Sequence, residues 1–556
     1  MKKIFAILMF ALCFSWVYSQ EDPATKGLEA ITTEAVQGQL EFLSSDWTEG
    51  RQTGTKGEFI AGDYIASIFK IYGLAPAGDY RFTELTREER WEGKKPEKYR
   101  SFFQEFSLIK SKAGKEQHLS VTKKNKNGES TFHFTYKTDF EFGSLPPVSM
   151  SGAAPVVFVG YGYVNEKEGY NDYQGVDVSG KIIIRLAGFP GINDTASEAF
   201  RKFHPEGRYG YYYLNRDKNK EARERGAIAV IEPGYEGIQK DWTVNLPFRF
   251  KSAIYEGPEE LESPYEYDFS LPEDTLKTNP LIIRVTPAIM NLLLDGSGIH
   301  PDEFHKSIAA RPKPMSKEIF GKQAGFVTTM ESEIVTARNV IGMIEGKNPD
   351  SLIVLGAHYD HLGIHDGYIW NGADDNASGT VGVMTIARAF LATGEQPERT
   401  IVFAAWTGEE MGLLGSSYFV DHPVKPVENI LLNLNFDMIS RDSRNDTLKN
   451  KCSLSYSKSH PILEEISKKN NETHELGLDI GFRASEGGRG GSDHAPFSMK
   501  GIPFAFFMAG FTTDYHQPTD EIEKVNIDKM TRIVKLGFLN AWKLDKVNLS
   551  RNKPKQ

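Results

Sequence analysis

The sequence predicts an α/β fold, and three of its features carry that expectation. From Glu318 onward, short apolar runs alternate with amphipathic stretches, the order expected of a sheet covered by helices on both faces. The runs are rich in β-branched and aromatic residues, as in 401–406 (Ile-Val-Phe-Ala-Ala-Trp), which suits strands buried on both faces. Most of the later runs are followed closely by His, Asp or Glu, and the carboxyl ends of strands are where open α/β sheets bind ligands.

At the N-terminus, Lys2 and Lys3 precede an apolar run over 4–17, and Val17-Tyr18-Ser19 places compact residues where a signal peptidase cuts. Residues 1–19 therefore read as a cleaved secretory signal, and the chain as exported, periplasmic or secreted. A lipid anchor on Cys13 is the competing reading, but Leu12 stands where such signals carry a small residue. The run is shorter than the ~20 residues of a membrane-spanning helix, and no other stretch approaches that length, so no integral membrane segment is expected after signal removal.

Over 20–138 two amphipathic stripes appear, Val36, Leu40 and Leu43, then Phe59, Tyr64, Ile65, Ile68 and Tyr72, the second closed by Gly73 as a helix C-cap. Between them, the glycine-punctuated loop 49–55 with Arg51 reads either as a helix connector or as a wall of a cleft. The mixed-charge run 81–100 reads as a solvated loop.

The texture changes over 139–315. Residues 155–162, 180–185 and 227–231 read as strands and 219–225 as a helix, which makes this a β-rich inserted unit. The acidic, proline-bearing run 256–273 reads as an exposed loop. Residues 316–556 carry the alternating pattern, with strands expected at 340–344, 352–357, 401–406, 430–436 and 502–508. Helices are expected at 377–392, 411–419 and 462–469, the last behind Pro461, where a missing N–H costs nothing.

Composition excludes several functions. A net charge of −10 with no basic stripe argues against nucleic acid as a partner. Cys13 and Cys452 are the only cysteines, so after signal removal neither an intramolecular disulfide nor a thiolate zinc site is available. Any metal must be held by His, Asp and Glu.

The polar strand ends supply such residues. The run 352–357 leads into His358-Tyr359-Asp360-His361, 401–406 into Glu409-Glu410, 430–436 into Asp437, and 502–508 into a loop reaching Tyr515-His516. A further candidate lies in the tight turn 372–379, Gly-Ala-Asp-Asp-Asn-Ala-Ser-Gly. Adjacent carboxylates such as Glu409 and Glu410 can serve a metal and the water it activates, or can simply be the acidic first turn of a helix. Taken singly, Asp360 or Asp375 could be a helix N-cap and His516 a surface histidine.

In that order, His-Tyr-Asp-His-Leu-Gly, Asp-Asp-Asn-Ala-Ser-Gly, Thr-Gly-Glu-Glu-Met-Gly, Asn-Phe-Asp-Met and Tyr-His-Gln-Pro-Thr-Asp resemble the co-catalytic di-zinc aminopeptidase family that also contains glutamate carboxypeptidase. The resemblance is strong over roughly 300–540. It implies a mixed, mostly parallel sheet sandwiched by helices and two zinc ions. His358 and Asp437 would hold one zinc, Glu410 and His516 the other, and Asp375 would bridge them; Asp374 is the rival for that position, but Asp375 directly precedes Asn376 as in the family motif. Glu409 would be the general base, Asp360 would fix the tautomer of His358, and Tyr515 would hydrogen-bond the developing oxyanion. His361 and His365 are left unassigned, with structural roles expected. Residues 492–497 match a family segment near the cleft but outside the metal set. The inserted unit resembles a protease-associated domain through its Gly-Tyr-Gly turn (160–162) and Gly-Val-Asp-Val-Ser-Gly-Lys bridge (175–181).

The resemblance implies hydrolysis of N-terminal residues from peptide substrates. Its alternatives are a carboxypeptidase, for which Arg489 in the loop 487–491 is the one suggestive cation, a glutaminyl cyclase, disfavoured by the complete His358–Asp437 pair, and an inactive receptor-like member, which would need lost ligands.

Overall fold

The computed structural model describes residues 22–126, 128–205, 210–234, 267–277, 280–365, 367–487 and 491–551. The expected signal at 1–19, Arg489 and most of the acidic run 256–273 lie outside these residues.

The chain opens with helices α1 (Pro23–Ala30), α2 (Thr33–Leu43) and α3 (Lys56–Tyr72). Thr32 caps α2 by accepting a hydrogen bond from the Ala35 amide, and the helix buries Val36, Leu40 and Leu43, the expected stripe. Gly73, at φ 95°, ends α3 in the left-handed conformation that glycine adopts without strain. The buried face of α3 differs from the expected one: it is Gly57, Glu58, Ala61, Gly62, Ile65, Ala66 and Phe69, while Phe59, Tyr64, Ile68 and Tyr72 are half-buried. Close approach selects the small residues. A methyl group on Gly62 would already lie 3.2 Å from the Tyr359 hydroxyl.

The run 81–100 is exposed, as its charge suggests, but it is not structureless. Tyr80–Phe82 pairs antiparallel with Lys98–Arg100, and a one-turn helix, Arg87–Trp91, is nucleated by a capping box between Thr86 and Glu89.

Beyond this point the fold rests on one sheet. Its strands are β1 (Phe103–Asn125), β2 (Met150–Phe158), β3 (Ile182–Ile184), β4 (Ala229–Pro233), β5 (Leu281–Val285), β6 (Lys317–Ile344), β7 (Asn348–His358), β8 (Arg399–Trp406), β9 (Ile430–Phe436), β10 (Lys451–Ser457), β11 (Asp479–Ser485) and β12 (Phe504–Met508), with shorter members at its edges. The long strands β1 and β6 pair antiparallel from Phe103↔Val340 to Lys123↔Lys322 and so run through both halves of the molecule.

On one side of β6 the order is β11–β10–β12–β9–β7–β8–β6. Pairs β7/β8, β7/β9, β9/β12 and β10/β11 are parallel, and β6/β8 and β10/β12 are antiparallel, the expected mixed, mostly parallel sheet. Helices α4 (Gly379–Ala392), α5 (Leu414–Asp421), α6 (Ile462–Thr473) and α7 (Ile527–Leu544) complete this half. Strand β8 is buried from Thr400 to Trp406, which is why it carries no polar alternation. One apolar cluster joins α1–α4 and α7 to β7, β8 and β9, and a second packs on the other face through Val354, Val402 and Trp406.

On the other side, β2, β3, β4 and β5 form a parallel set joined to β6 through antiparallel β2. Their core has its own cluster, Phe158, Ile182, Ile184, Ile231 and Ile283 among it, and also takes in Leu119, Val121, Ile319, Ala324 and Phe326 from the two long strands.

The parallel register matters most for function. His358 on β7 pairs with Trp406 on β8, Gly356 with Asn435 on β9, and Phe436 with Phe507 on β12, so the carboxyl ends of four strands meet at one edge. Gly356 is tied to the same edge: a Cβ there would sit 2.3 Å from Nε1 of the fully buried Trp406. Gly356→Ala is therefore expected to cost about 1–3 kcal/mol by overpacking. Urea unfolding should show a lower midpoint at unchanged slope; an unchanged midpoint would show that Trp406 can move aside.

Candidate metal centre and active site

Five chain segments converge on the polar edge. His358 is the last residue of β7, and Asp437 directly follows β9. Glu409 and Glu410 follow β8 after a turn through Gly408, at φ 68°. Asp375 lies in the distorted turn before α4, and His516 in the loop after β12. The Asn376 side chain fastens that turn to β9: its amide donates to the Phe436 carbonyl at 2.9 Å, and its oxygen accepts from Met438 N at 3.2 Å and Gly379 N at 2.8 Å.

Asp375 stands between two histidines. His358 Nε2 is 3.4 Å from Asp375 Oδ1 and 3.4 Å from Asp437 Oδ1, while His516 Nε2 is 3.0 Å from Asp375 Oδ2 and 3.1 Å from Glu410 Oε2. Atoms bound to one zinc at ~2.0–2.2 Å lie roughly 2.9–3.6 Å from one another, so these separations fit shared cations. Among the described residues, Asp375 Oδ2 and Asp437 Oδ1 are buried and face only the two imidazoles, which leaves them available to a cation. Ligand atoms of His358, Asp375 and Asp437 all fall within 4.8 Å of one another, as do those of His361, Asp375 and Glu410. Glu409 stays out of both groups, with Oε2 3.9 Å from His358 Nε2.

The electrostatics are those of a cation site. Burial works against the charge on His358, but Glu409, Asp437 and Asp375 hold its pKa well above the usual histidine range. Burial opposes the charge on His516 too, and Glu410 and Asp375 raise it to about 10. Burial tends to raise Glu410, yet His516 and His361 pull it well below the usual carboxylate range. Glu409 goes the other way: burial lifts it well above that range against the pull of His358. Tyr515 keeps its proton, since burial and then Asp375, Glu410, Glu409 and Asp437 push its pKa far up. Its ring stacks on His516, with centroids 3.8 Å apart.

Asp360 meets His358 through its backbone. His358 Nδ1 faces the backbone carbonyl of Asp360 at 3.2 Å, whereas the carboxylate oxygen lies 3.7 Å away. The carboxylate instead accepts from the Glu409 amide at 3.1 Å, the Glu410 amide at 3.3 Å and Thr53 Oγ1 at 3.1 Å. It orders the carboxylate pair, and the carbonyl orients the imidazole. Asp374 accepts from Ser440 N and Oγ, at 2.8 and 2.6 Å, and so turns away from the two histidines. Asp520 accepts from the amides of both Asp374 and Asp375 at 3.0 Å and pairs with Arg441 at 3.2 Å. His365 contacts the Leu362 carbonyl at 2.6 Å, and Asp493 and His494 are buried nearby.

The loop 49–55 forms part of the site as well as connecting two helices. Arg51 is fully buried, and its guanidinium donates to the carbonyls of Tyr359 at 2.8 Å, Asn371 at 2.7 Å, Gly372 at 3.0 Å and Leu43. It thus ties the His358 strand end to the Asp375 turn. Glu58 accepts from Gly54 N at 2.6 Å and from Thr407 Oγ1, and burial raises its pKa to about 8. Sequence reasoning missed Glu58. Its one signal was its place two residues into α3, behind a glycine-rich loop.

Comparison with known proteins bears on this site. Residues 339–538 match the sequence model of peptidase family M28, a span of 200 of the 556 residues that contains all eight site residues expected from the sequence. Leupeptin-inactivating enzyme 1 of Streptomyces exfoliatus is 33% identical over 205 residues, 36% of this chain and 42% of that protein. A glutamate carboxypeptidase 2 homolog of Caenorhabditis elegans is 27% identical over 414 residues, 65% of this chain and 49% of that protein. The chain thus spans less than half the length of these curated relatives. In fold, an aminopeptidase from Aneurinibacillus sp. strain AM-1 superposes with a TM-score of 0.50 at 18% identity, over 96% of this chain and 98% of that one. The resemblance drawn from the sequence holds over the matched segment, and the similar proteins include aminopeptidase YwaD of Bacillus subtilis as well as the glutamate carboxypeptidase homolog.

A direct consequence of the raised histidines is proton release. The carboxylates beside both rings favour their protonated form in the metal-free chain, and ligation requires neutral imidazole. Zinc titrations followed by calorimetry in buffers of different ionisation enthalpy should report net proton release on loading, and affinity should fall as pH drops. Heats independent of the buffer would show that the imidazoles are already neutral before the metal binds.

Proposed function

We propose that the chain is an exported metallo-aminopeptidase that hydrolyses N-terminal residues from peptides with two zinc ions. The observation that carries this reading is Asp375, one carboxylate shared between the His358–Asp437 and Glu410–His516 pairs. The match to peptidase family M28 supports the reaction class.

The residues divide the work by position. His358, Asp375 and Asp437 would hold one ion, and Asp375, Glu410 and His516 the other. When bound, such a pair supplies Lewis-acid polarisation of the scissile carbonyl and lowers the pKa of water. Glu409 takes the proton of the attacking water and delivers it to the departing amine, for which a carboxylate of raised pKa is suited. Tyr515, kept protonated by the surrounding carboxylates, donates a hydrogen bond to the carbonyl oxygen as negative charge grows there. The same dense negative field attracts a substrate's free α-amino group. In this reading the second half of the sheet, with the segment 139–315, is a protease-associated unit that shades the cleft from bulky substrates.

Two measurements test the proposal. Glu409→Gln should keep both ions and lose about 10²- to 10⁴-fold in turnover, because a base is removed and the ligands are not; loss of metal in that variant would make Glu409 a ligand. Matched peptides with free and acetylated N-termini, and with free and amidated C-termini, separate the two exopeptidase types. An acetyl cap removes the amine's charge, and the capped peptide should be cut at least ~10²-fold more slowly, the effect of losing a charged contact of roughly 3 kcal/mol. Indifference to acetylation with a strict need for a free C-terminus would favour the carboxypeptidase relatives instead.

A further inference from the structure

We propose that His361 is a positioning residue for Glu410: its ring holds Oε1 by a hydrogen bond, so that Oε2 is the oxygen presented to a cation beside His516 and Asp375. The inference rests on the proposed ligand roles of Glu410 and His516. Nothing in the motif order assigns His361, and its place in the structure gives it one.

His361 is fully buried, with Nδ1 2.8 Å from Glu410 Oε1, while Glu410 Oε2 lies 3.1 Å from His516 Nε2. The two oxygens of one carboxylate therefore face two different imidazoles. An ionised carboxylate has no proton to give, so Nδ1 is the donor in the first contact. Among the described residues, Nε2 has no hydrogen-bond partner, and Nδ1 is the nitrogen that meets Glu410.

The ring itself is fixed from three directions. The His361 amide donates to the Arg51 carbonyl at 3.2 Å. Gly372, at φ 53°, lies flat against the imidazole: a Cβ there would approach its Cγ and Cδ2 to 2.5 Å. Arg51 in turn holds the Gly372 carbonyl at 3.0 Å. The His516 ring stands edge-on at a centroid distance of 5.9 Å. A free glutamate side chain could swing either oxygen, or both, toward a cation; this clasp removes that freedom before a metal arrives.

The test uses the full chain, with zinc as the probe. Metal-free wild type, His361→Asn and His361→Leu are titrated against a chromogenic chelator to resolve the successive binding steps, and kcat and KM are measured on the loaded proteins. Asparagine keeps an N–H near the Nδ1 position and leucine does not. His361→Leu should weaken one binding step about 10- to 100-fold and spare the other, with a fall in kcat larger than any change in KM, and His361→Asn should recover most of both. Unchanged affinities in His361→Leu would overturn the inference. Loss of an ion in both variants would overturn it in favour of His361 as a ligand, and equal weakening of both steps would overturn it in favour of general damage to the fold. A wild type that takes up a single ion would refute the two-ion reading, and this inference with it.

Discussion

The structure depends on how much negative charge it buries in one place. Asp360, Asp374, Asp375, Asp437, Asp493 and Asp520 are all buried, and the side chains of Glu409 and Glu410 are only 15% and 3% exposed. An unpaired buried charge costs several kcal/mol, so such a cluster stands by keeping protons on some members and by compensating cations and donors around the rest. The protein supplies part of the compensation. Arg441 pairs with Asp520, Ser440 binds Asp374, and three donors meet Asp360. Among the described residues, Asp374 Oδ2, Asp375 Oδ2, Asp437 Oδ1 and both oxygens of Asp493 have no hydrogen-bond partner, and a cation fits where Asp375 and Asp437 face the two histidines.

The surrounding fold follows from that demand. Parallel strands bring polar residues to a common edge without exposing the apolar runs behind them, since β7 and β8 are buried on both faces. Precision then comes from backbone groups as much as from side chains. Asn376 joins the Asp375 turn to β9, and Arg51 joins that turn to the end of β7 through four carbonyls. Arg51 is a cation held by dipoles alone. Burial lowers its pKa to about 10, and Asp360, Asp375, Asp520 and Glu410 act against that fall, so it adds to the positive field on the carboxylates without consuming one in an ion pair.

The sequence made the catalytic half of the sheet legible because burial on both faces imposes long apolar runs, and each expected strand from 340 to 508 overlaps an observed one. The eight residues that the motif resemblance singles out come together at one edge of the sheet in the structure. The sequence was less informative where contacts run through the backbone or depend on close approach. The buried face of α3 was misplaced, since Gly57, Gly62 and Glu58 carry no apolar signature. Residue type does not reveal that Asp360 meets His358 through its backbone carbonyl, at 3.2 Å, with its carboxylate 3.7 Å away. His361 was left without a role, because nothing in its neighbourhood along the chain points to Glu410, 49 positions away.

The central claim is that Asp375 lies between two ions, one beside His358 and Asp437 and the other beside Glu410 and His516. Anomalous diffraction at the zinc edge, from crystals of the zinc-loaded chain, tests it most directly. The account predicts two peaks flanking the Asp375 carboxylate, each within ligand distance of its own histidine. A single peak, or two peaks neither of which touches Asp375, would contradict it.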